Sequence, residues 1–487
     1  MFNSINKRKT AITIFAVVCL IIGSLCSATA VLAAPPSYNY NYWLETVAAP
    51  AAYQATTIVK GTHIGVGDFK DPSDLHVTED QQIYIMDTGN NRVVVTDKNF
   101  KLIKVIDSFT NRGQEDHFNA PQGLFVSRNK HLYVADTGNN RIVHLDENGK
   151  LVQIVESPQT DLLSSTFVFQ PARLVVDNAG RMYVMAIGVF DGFMEFNVDG
   201  TFTTFIGANR VYVDPIEYLW KMLSTREQRS QMVQFIPTEF TNLDIDPEGF
   251  IYAVNGDRWG DNIKKLNAQG SDILRRNGYF RPGGDINYWN QDGPPRLIDI
   301  DVTDSEMYSV LDSKRGRIFT YNGDGFLLYI FGGMGNRVGE FNTPIAIERV
   351  DDDFLVLDKA LGEIMVFKTT EYGRVLNEAV RSYYRGDEQR SAEMFRQAAN
   401  MNANLEYAYD GIGKSLLRQG EYKEAVEYFR QAMDRTSYSK AYVLYRKEVM
   451  RDVFPAIMTG LVIVIAAYVF GKRIMKTRRR KKVVPFE

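Results

Sequence analysis

The side chains best suited to acid–base or metal chemistry are unevenly spread along this sequence of 487 residues. All five histidines, His63, His76, His117, His131 and His144, stand in its first third. A metal centre assembled from distant parts of the chain would therefore rely on carboxylate or amide oxygens rather than imidazoles. Two carboxylate groups are dense enough to consider: Asp299, Asp301 and Asp304, and then Asp351, Asp352 and Asp353. Neither follows the D-x-[DN]-x-[DN]-G spacing that wraps oxygen ligands round calcium, and solvated turn carboxylates are the ordinary reading of both. The sequence has no G-x-S-x-G, no H-E-x-x-H and no phosphate-binding glycine loop. No catalytic residue, metal ligand or cofactor is assigned.

Binding chemistry is better represented. Residues 215–235 have Ile216, Leu219, Trp220 and Leu223 at helical spacing, with Pro215 suited to a helix start. A helix inserted over 214–235 is predicted, with its apolar side on the body of the protein. Residues 255–261 hold Asp257, Arg258 and Trp259, and residues 281–295 hold Tyr288 and Trp289. Both stretches are longer than a turn requires. Aromatic rings exposed there could stack on a sugar or grip a partner's loop, or could equally be packing residues.

These loops interrupt a repeat. Residues 121–155 read as four short strands, with polar turns at 127–130, at the hexapeptide DTGNNR (136–141) and at 146–149. The same unit occurs one period earlier, with DTGNNR at 87–92. Degraded copies begin near Pro171, Thr241, Pro295 and Thr343. A four-stranded sheet with two apolar faces cannot stand alone, and six copies about 50 residues apart fit a closed ring of blades. The sixth copy lacks a fourth strand, because the pattern turns helical at Glu371. The β-prone run at 53–59 is expected to pair with it and close the ring.

The unit P-x-G-[LI]-x-V…[LI]-Y-V-A-D-T-x-N-x-R-[VI] resembles the NHL repeat. The resemblance covers about residues 60–368 and implies a mainly β, six-bladed propeller. Relatives of this repeat include protein and RNA binders, sensor ectodomains and a few lyases. Asp87, Asn90 and Arg92, with Asp136, Asn139 and Arg141, carry the repeat's most specific tract. They are expected to bond backbone groups and tie neighbouring strands rather than touch a ligand. Residues 371–450 resemble tetratricopeptide repeats. Phe395 and Phe429 are 34 residues apart, as are Ala398 and Ala432, and Ala379 and Gly413 take the small-residue position. The usual closing proline is replaced by Ser437.

The ends place the chain at a membrane. Lys7, Arg8 and Lys9 precede an apolar run and small residues near 28–34, the layout of a signal peptide over 1–34. An uncleaved anchor is the alternative. Both cysteines, Cys19 and Cys26, lie in that run, so cleavage would leave no thiol and no disulfide. Residues 453–471 are uncharged and long enough to span a bilayer. Eight Lys and Arg against one Glu follow at 472–487 and are expected to stay in the cytoplasm. With three cations in the first ten residues, the net charge of −3 leaves the body at −13. So acidic a body argues against nucleic acid as a partner.

The order expected is signal peptide, lead-in (35–51, irregular), propeller (52–370), helical repeats (371–450), transmembrane helix and tail. The function expected is a bacterial, membrane-anchored extracytoplasmic binding or scaffold protein. It would act on a protein partner, with a carbohydrate or peptide ligand possible, as accessory to a surface carbohydrate-uptake or sensing complex. The competing expectation is a metal-dependent lactonase or lyase with its site in the central channel.

Overall fold

The computed structural model describes residues 37–480 except 165, 210–218, 221, 226–227, 229–237, 257–260 and 289–292. The signal-peptide expectation, most of the inserted segment, and Asp257, Arg258, Trp259 and Trp289 lie outside these residues. The chain divides into two compact units, Met1–Arg374 and Val375–Glu487.

The first unit is a ring of six antiparallel sheets. Their inner strands are Asp74–Val77, Gly123–Val126, Pro171–Val176, Phe240–Ile245, Leu297–Val302 and Pro344–Val350. Because side chains alternate along a strand, a blade packed between two others must be apolar on both faces. The strand Ile83–Asp87 is buried throughout. Its Ile83 and Ile85 pack with Leu355 and Leu357 of the sixth blade, while Tyr84 and Met86 pack with Leu124 and Val134 of the second. Gly123 marks a close approach of inner strands: a Cβ there would lie 2.3 Å from the Ala172 carbonyl oxygen.

Tyr53–Lys60 completes the sixth blade as expected, pairing from Tyr53↔Thr369 to Lys60↔Glu363. Three features differ from the sequence reading. The lead-in is not irregular, for Tyr38–Tyr40 pairs with Thr46–Ala48. Tyr38 and Tyr40 both donate to Asp285 Oδ1, and Arg317 holds Oδ2 at 2.7 Å. The link after the first blade carries an extra hairpin, Ser108–Asn111 with Gln114–His117. The fourth blade has three strands instead of four. Beside its third strand, Ile263–Leu266, the chain makes one bridge at Asp272, and Arg276 donates to the Ile263 carbonyl at 3.0 Å. A guanidinium thus answers an edge carbonyl that a fourth strand would have taken.

Strand direction gives the ring two unlike faces. One, the turn face, carries the turns between first and second and between third and fourth strands. The other, the connection face, carries the turns between second and third strands and the links between blades.

The second unit is helical. Helices α1 (Glu371–Arg385), α2 (Glu388–Met401), α3 (Glu406–Gln419), α4 (Tyr422–Gln431) and α5 (Arg435–Arg480) are joined by two to four residues each. Small residues admit large rings here: a Cβ on Gly413 would lie 2.8 Å from the Phe429 ring, and one on Gly411 2.5 Å from Phe395. Gly420, in the left-handed region at φ 89°, ends α3. Helix α5 runs unbroken through Pro455.

The DTGNNR turns clamp the link that leads into their own blade. Asp87 accepts from the Lys70 backbone N–H at 2.8 Å, Asn90 Nδ2 at 2.8 Å and Arg92 Nε at 2.7 Å. Asp136 does the same with Asn119 N, Asn139 Nδ2 and Arg141 Nε. Both carboxylates are fully buried. Asp87→Ala would strand a guanidinium and an amide, and is expected to cost about 3 kcal/mol, read from the urea midpoint, with Asp87→Asn costing less.

Candidate functional site

Inner strands of neighbouring blades are not paired with one another, so their backbone groups need other partners. Side chains provide them across the channel. Asp74 Oδ2 accepts from Leu124 N at 2.9 Å, from the first blade to the second. Asp244 accepts from Val302 N at 2.8 Å, and Asp299 from Ile347 N at 2.6 Å. Asn242 donates to Asp299, and Arg349 Nε meets Asp301 at 3.0 Å. Arg173 of the third blade reaches the first two: it donates to the Ser73 carbonyl at 2.8 Å and to the Gln122 carbonyl, and lies 3.8 Å from Asp74.

The solvated-turn reading of the first acidic group is therefore corrected at Asp299 and Asp301, whereas Asp304 does stand exposed in a turn. Asp299 and Asp301 are inner-strand residues, 4% and 6% exposed, because the strand alternation aims them at the axis. Asp351 does stand in a turn, with its side chain 59% exposed. Among the described residues no three His, Cys, Asp or Glu converge as a metal-ligand set.

Above this network a cavity of about 770 Å³ opens on the turn face. All six blades contribute to it, with His76, Phe125, Asp177, Asp244, Asp304 and Glu348 among the lining residues. His76 Nε2 is 3.2 Å from the Val126 carbonyl, to which it donates, leaving Nδ1 facing Glu348 Oε1 at 3.5 Å. Burial pushes the His76 imidazole down and so keeps it neutral. Burial also pushes the Glu348 and Asp244 carboxyls well above their usual range, Asp301 adding to the effect on Glu348 and Glu348 to that on Asp244. Burial thus favours the neutral form of each of these three floor groups.

The rim is charged and cross-tied. Arg128 meets Glu79 at 2.8 Å and Asn178 at 3.1 Å, and Lys130 meets Asp80 at 2.8 Å. Asn178 reaches the Pro247 carbonyl at 3.0 Å, and Lys98 reaches Asp351 at 3.1 Å. These contacts join turns from five blades, so the rim is held as one piece.

Of the binding surface read from sequence, Trp220 and Tyr288 are described, and both stand in links between blades. Trp220 is 62% exposed, as are its neighbours Leu219, Met222 and Leu223 to similar degrees. The expectation that this segment lays its apolar side on the ring is not met at these residues. Tyr288 is half-exposed, with the Arg315 guanidinium 5.6 Å from its ring centre. The structure does not bring Trp220 or Tyr288 to the cavity. The cavity residues gave no sequence signal, since each blade supplies only a few and the closest copies differ at them: His76 of the first blade matches Phe125 of the second.

Residues 118–145, around the second blade, match the family model described as NHL repeat. No curated protein matches the sequence. Among solved structures, virginiamycin B lyase from Staphylococcus aureus is 10% identical over 65% of this chain and 100% of that chain, with a TM-score of 0.40. A streptogramin B lyase is 11% identical over 66% and 100%, at 0.39. A protein of unknown function from Bacteroides thetaiotaomicron is 11% identical over 69% and 77%, at 0.42. The ring itself defines the class, a six-bladed β-propeller with NHL-repeat character.

Glu348 gives a test of the cavity floor. A carboxyl raised by folding adds stability below its unfolded pKa and loses that contribution as pH rises through the raised value. Glu348→Gln is therefore expected to flatten the loss of stability from acid to alkaline pH, measured by urea unfolding at several pH values. Arg173→Met should instead destabilise by about 3–5 kcal/mol at neutral pH, because Asp74 loses its buried counter-charge.

Proposed function

We propose that this chain is a single-pass membrane protein whose propeller and helical segment form a non-catalytic binding or scaffold module outside the cytoplasm. The observation that carries the non-catalytic reading is the use of the channel's polar groups. Asp74, Asp244, Asp299 and Asp301 are occupied by backbone N–H groups and guanidinium ions of neighbouring blades. Groups committed to holding a ring together are poorly placed to move protons on a substrate.

The cavity on the turn face, with a polar floor and a braced charged rim, supports recognition of a polar group, such as a sugar or a peptide end presented by a partner. The helical segment reads as a short tetratricopeptide-like array whose ring-into-glycine packing supports a second docking surface. Anchoring rests on α5, whose 18-residue apolar window has a mean hydropathy of 2.4 and is not buried at all. The basic residues after it favour a cytoplasmic tail. An accessory or sensor role in a surface carbohydrate-uptake complex is the working assignment.

Carbonate washing of membranes is expected to leave the full chain in the pellet, and a chain ending before Val453 to leave it in the supernatant. Protease added to intact cells is expected to degrade the propeller while sparing an epitope placed at 472–487. Degradation of the tail alone would reverse the orientation. Cross-linked pull-down from membranes is expected to recover a membrane partner, and recovery of none would remove the scaffold reading.

A further inference from the structure

Helix α5 is 46 residues long, yet the other helices hold it at one end only. Its last buried residue is Ala441, and none of the described residues beyond it is buried. Whatever fixes Asp434 to Ala441 therefore fixes the helix. Asp434 caps its first turn, accepting from the Thr436 and Ser437 backbone N–H groups at 2.9 and 3.0 Å. Against this cap, from α3, stands Asp410, which is fully buried. Among the described residues no backbone N–H or hydroxyl donates to either of its oxygens. The Lys414 ammonium, one turn further along α3, lies 2.9 Å from Oδ2. Asp434 is the other charged group facing it, and the two carboxyls share a hydrogen bond. Such a bond needs a proton, because an ionised carboxylate only accepts. The remaining neighbours bring no charge. The buried side chains of α2 and α4 are apolar or hydroxyl, and the charged side chains of α4 and of the first turns of α5 are exposed.

We infer that Asp410, Asp434 and Lys414 form a proton-gated joint between α3 and α5. With Asp410 protonated, the start of α5 is bonded to α3. With Asp410 ionised, two carboxylates face each other in a buried site and the joint loosens. The proton belongs to Asp410 rather than Asp434. Burial pushes the Asp410 carboxyl up to about 6, against the pull of Lys414. Burial opposes ionisation of Asp434 as well, but hydrogen bonds from Ser437 outweigh it and hold that carboxyl below its usual range. A carboxyl raised in the closed joint stabilises it fully below the ordinary value of 3.8, and that contribution is lost as pH rises through about 6. Acid thus tightens the joint and neutral pH slackens it, the reverse of an ordinary salt-bridged carboxylate. The joint works alike whatever the propeller binds, and adds to the binding role a control by proton concentration over how firmly α5 is held.

Hydrogen exchange of the full chain in detergent micelles, read by mass spectrometry over residues 435–445, tests the joint. Protection, taken relative to the intrinsic amide rate at each pH, is expected to fall about fiftyfold between about pH 4 and pH 7. Asp410→Asn keeps a donor for Asp434 and cannot ionise, so its protection is expected to stay level over the same range. Lys414→Met removes the cation that favours ionised Asp410, so the fall is expected to move to higher pH. A parent chain whose protection does not fall, a fall that survives Asp410→Asn, or a fall that Lys414→Met leaves in place or moves to lower pH would each overturn the inference.

Discussion

The ring depends on a backbone problem that its inner strands cannot solve by themselves. The six inner strands do not pair with one another, so their inner-edge amides and carbonyls lack a ladder partner. A buried amide without a partner costs as much as a lost hydrogen bond. The carboxylates of Asp74, Asp244 and Asp299 each take an amide of the next blade, and Arg173 spans three blades at once. What resembles a cluster of reactive acids is the fastening of the blades.

That arrangement decides where binding can occur. With the axis crossed by these contacts, the cavity lies above them on the turn face, where cross-tied rim residues fix its outline. The other face is shaped by links that vary in length from blade to blade. The division of labour between the faces thus follows from which residues the channel commits.

Much of the fold was legible in the sequence. The two identical DTGNNR turns marked the repeat, and the closing strand at 53–60 could be inferred from the sixth copy's missing strand. The fourth blade was misread because its period is intact in the first two strands, while the loss of the outer strand depends on Arg276, a residue no repeat contains. The extra hairpin at 108–117 is polar and alternates too weakly to stand out. The cavity escaped because its floor is one His, one Asp and one Glu contributed by three different blades, Asp244 and Glu348 lying 104 residues apart. Asp299 and Asp301 were visible but misplaced, since composition cannot tell a turn from the inner strand it follows.

Closing the ring with its first strand has a kinetic side. Lys60 must find Glu363 across some three hundred residues that are made after it. Joining ends that far apart costs about 5 kcal/mol of chain entropy before any contact repays it, and such non-local pairing is slow. Until Thr369 emerges, the sixth sheet has a bare edge and the first strand has no mate. The last step of folding is therefore a search, which ends when the first strand meets the sixth blade.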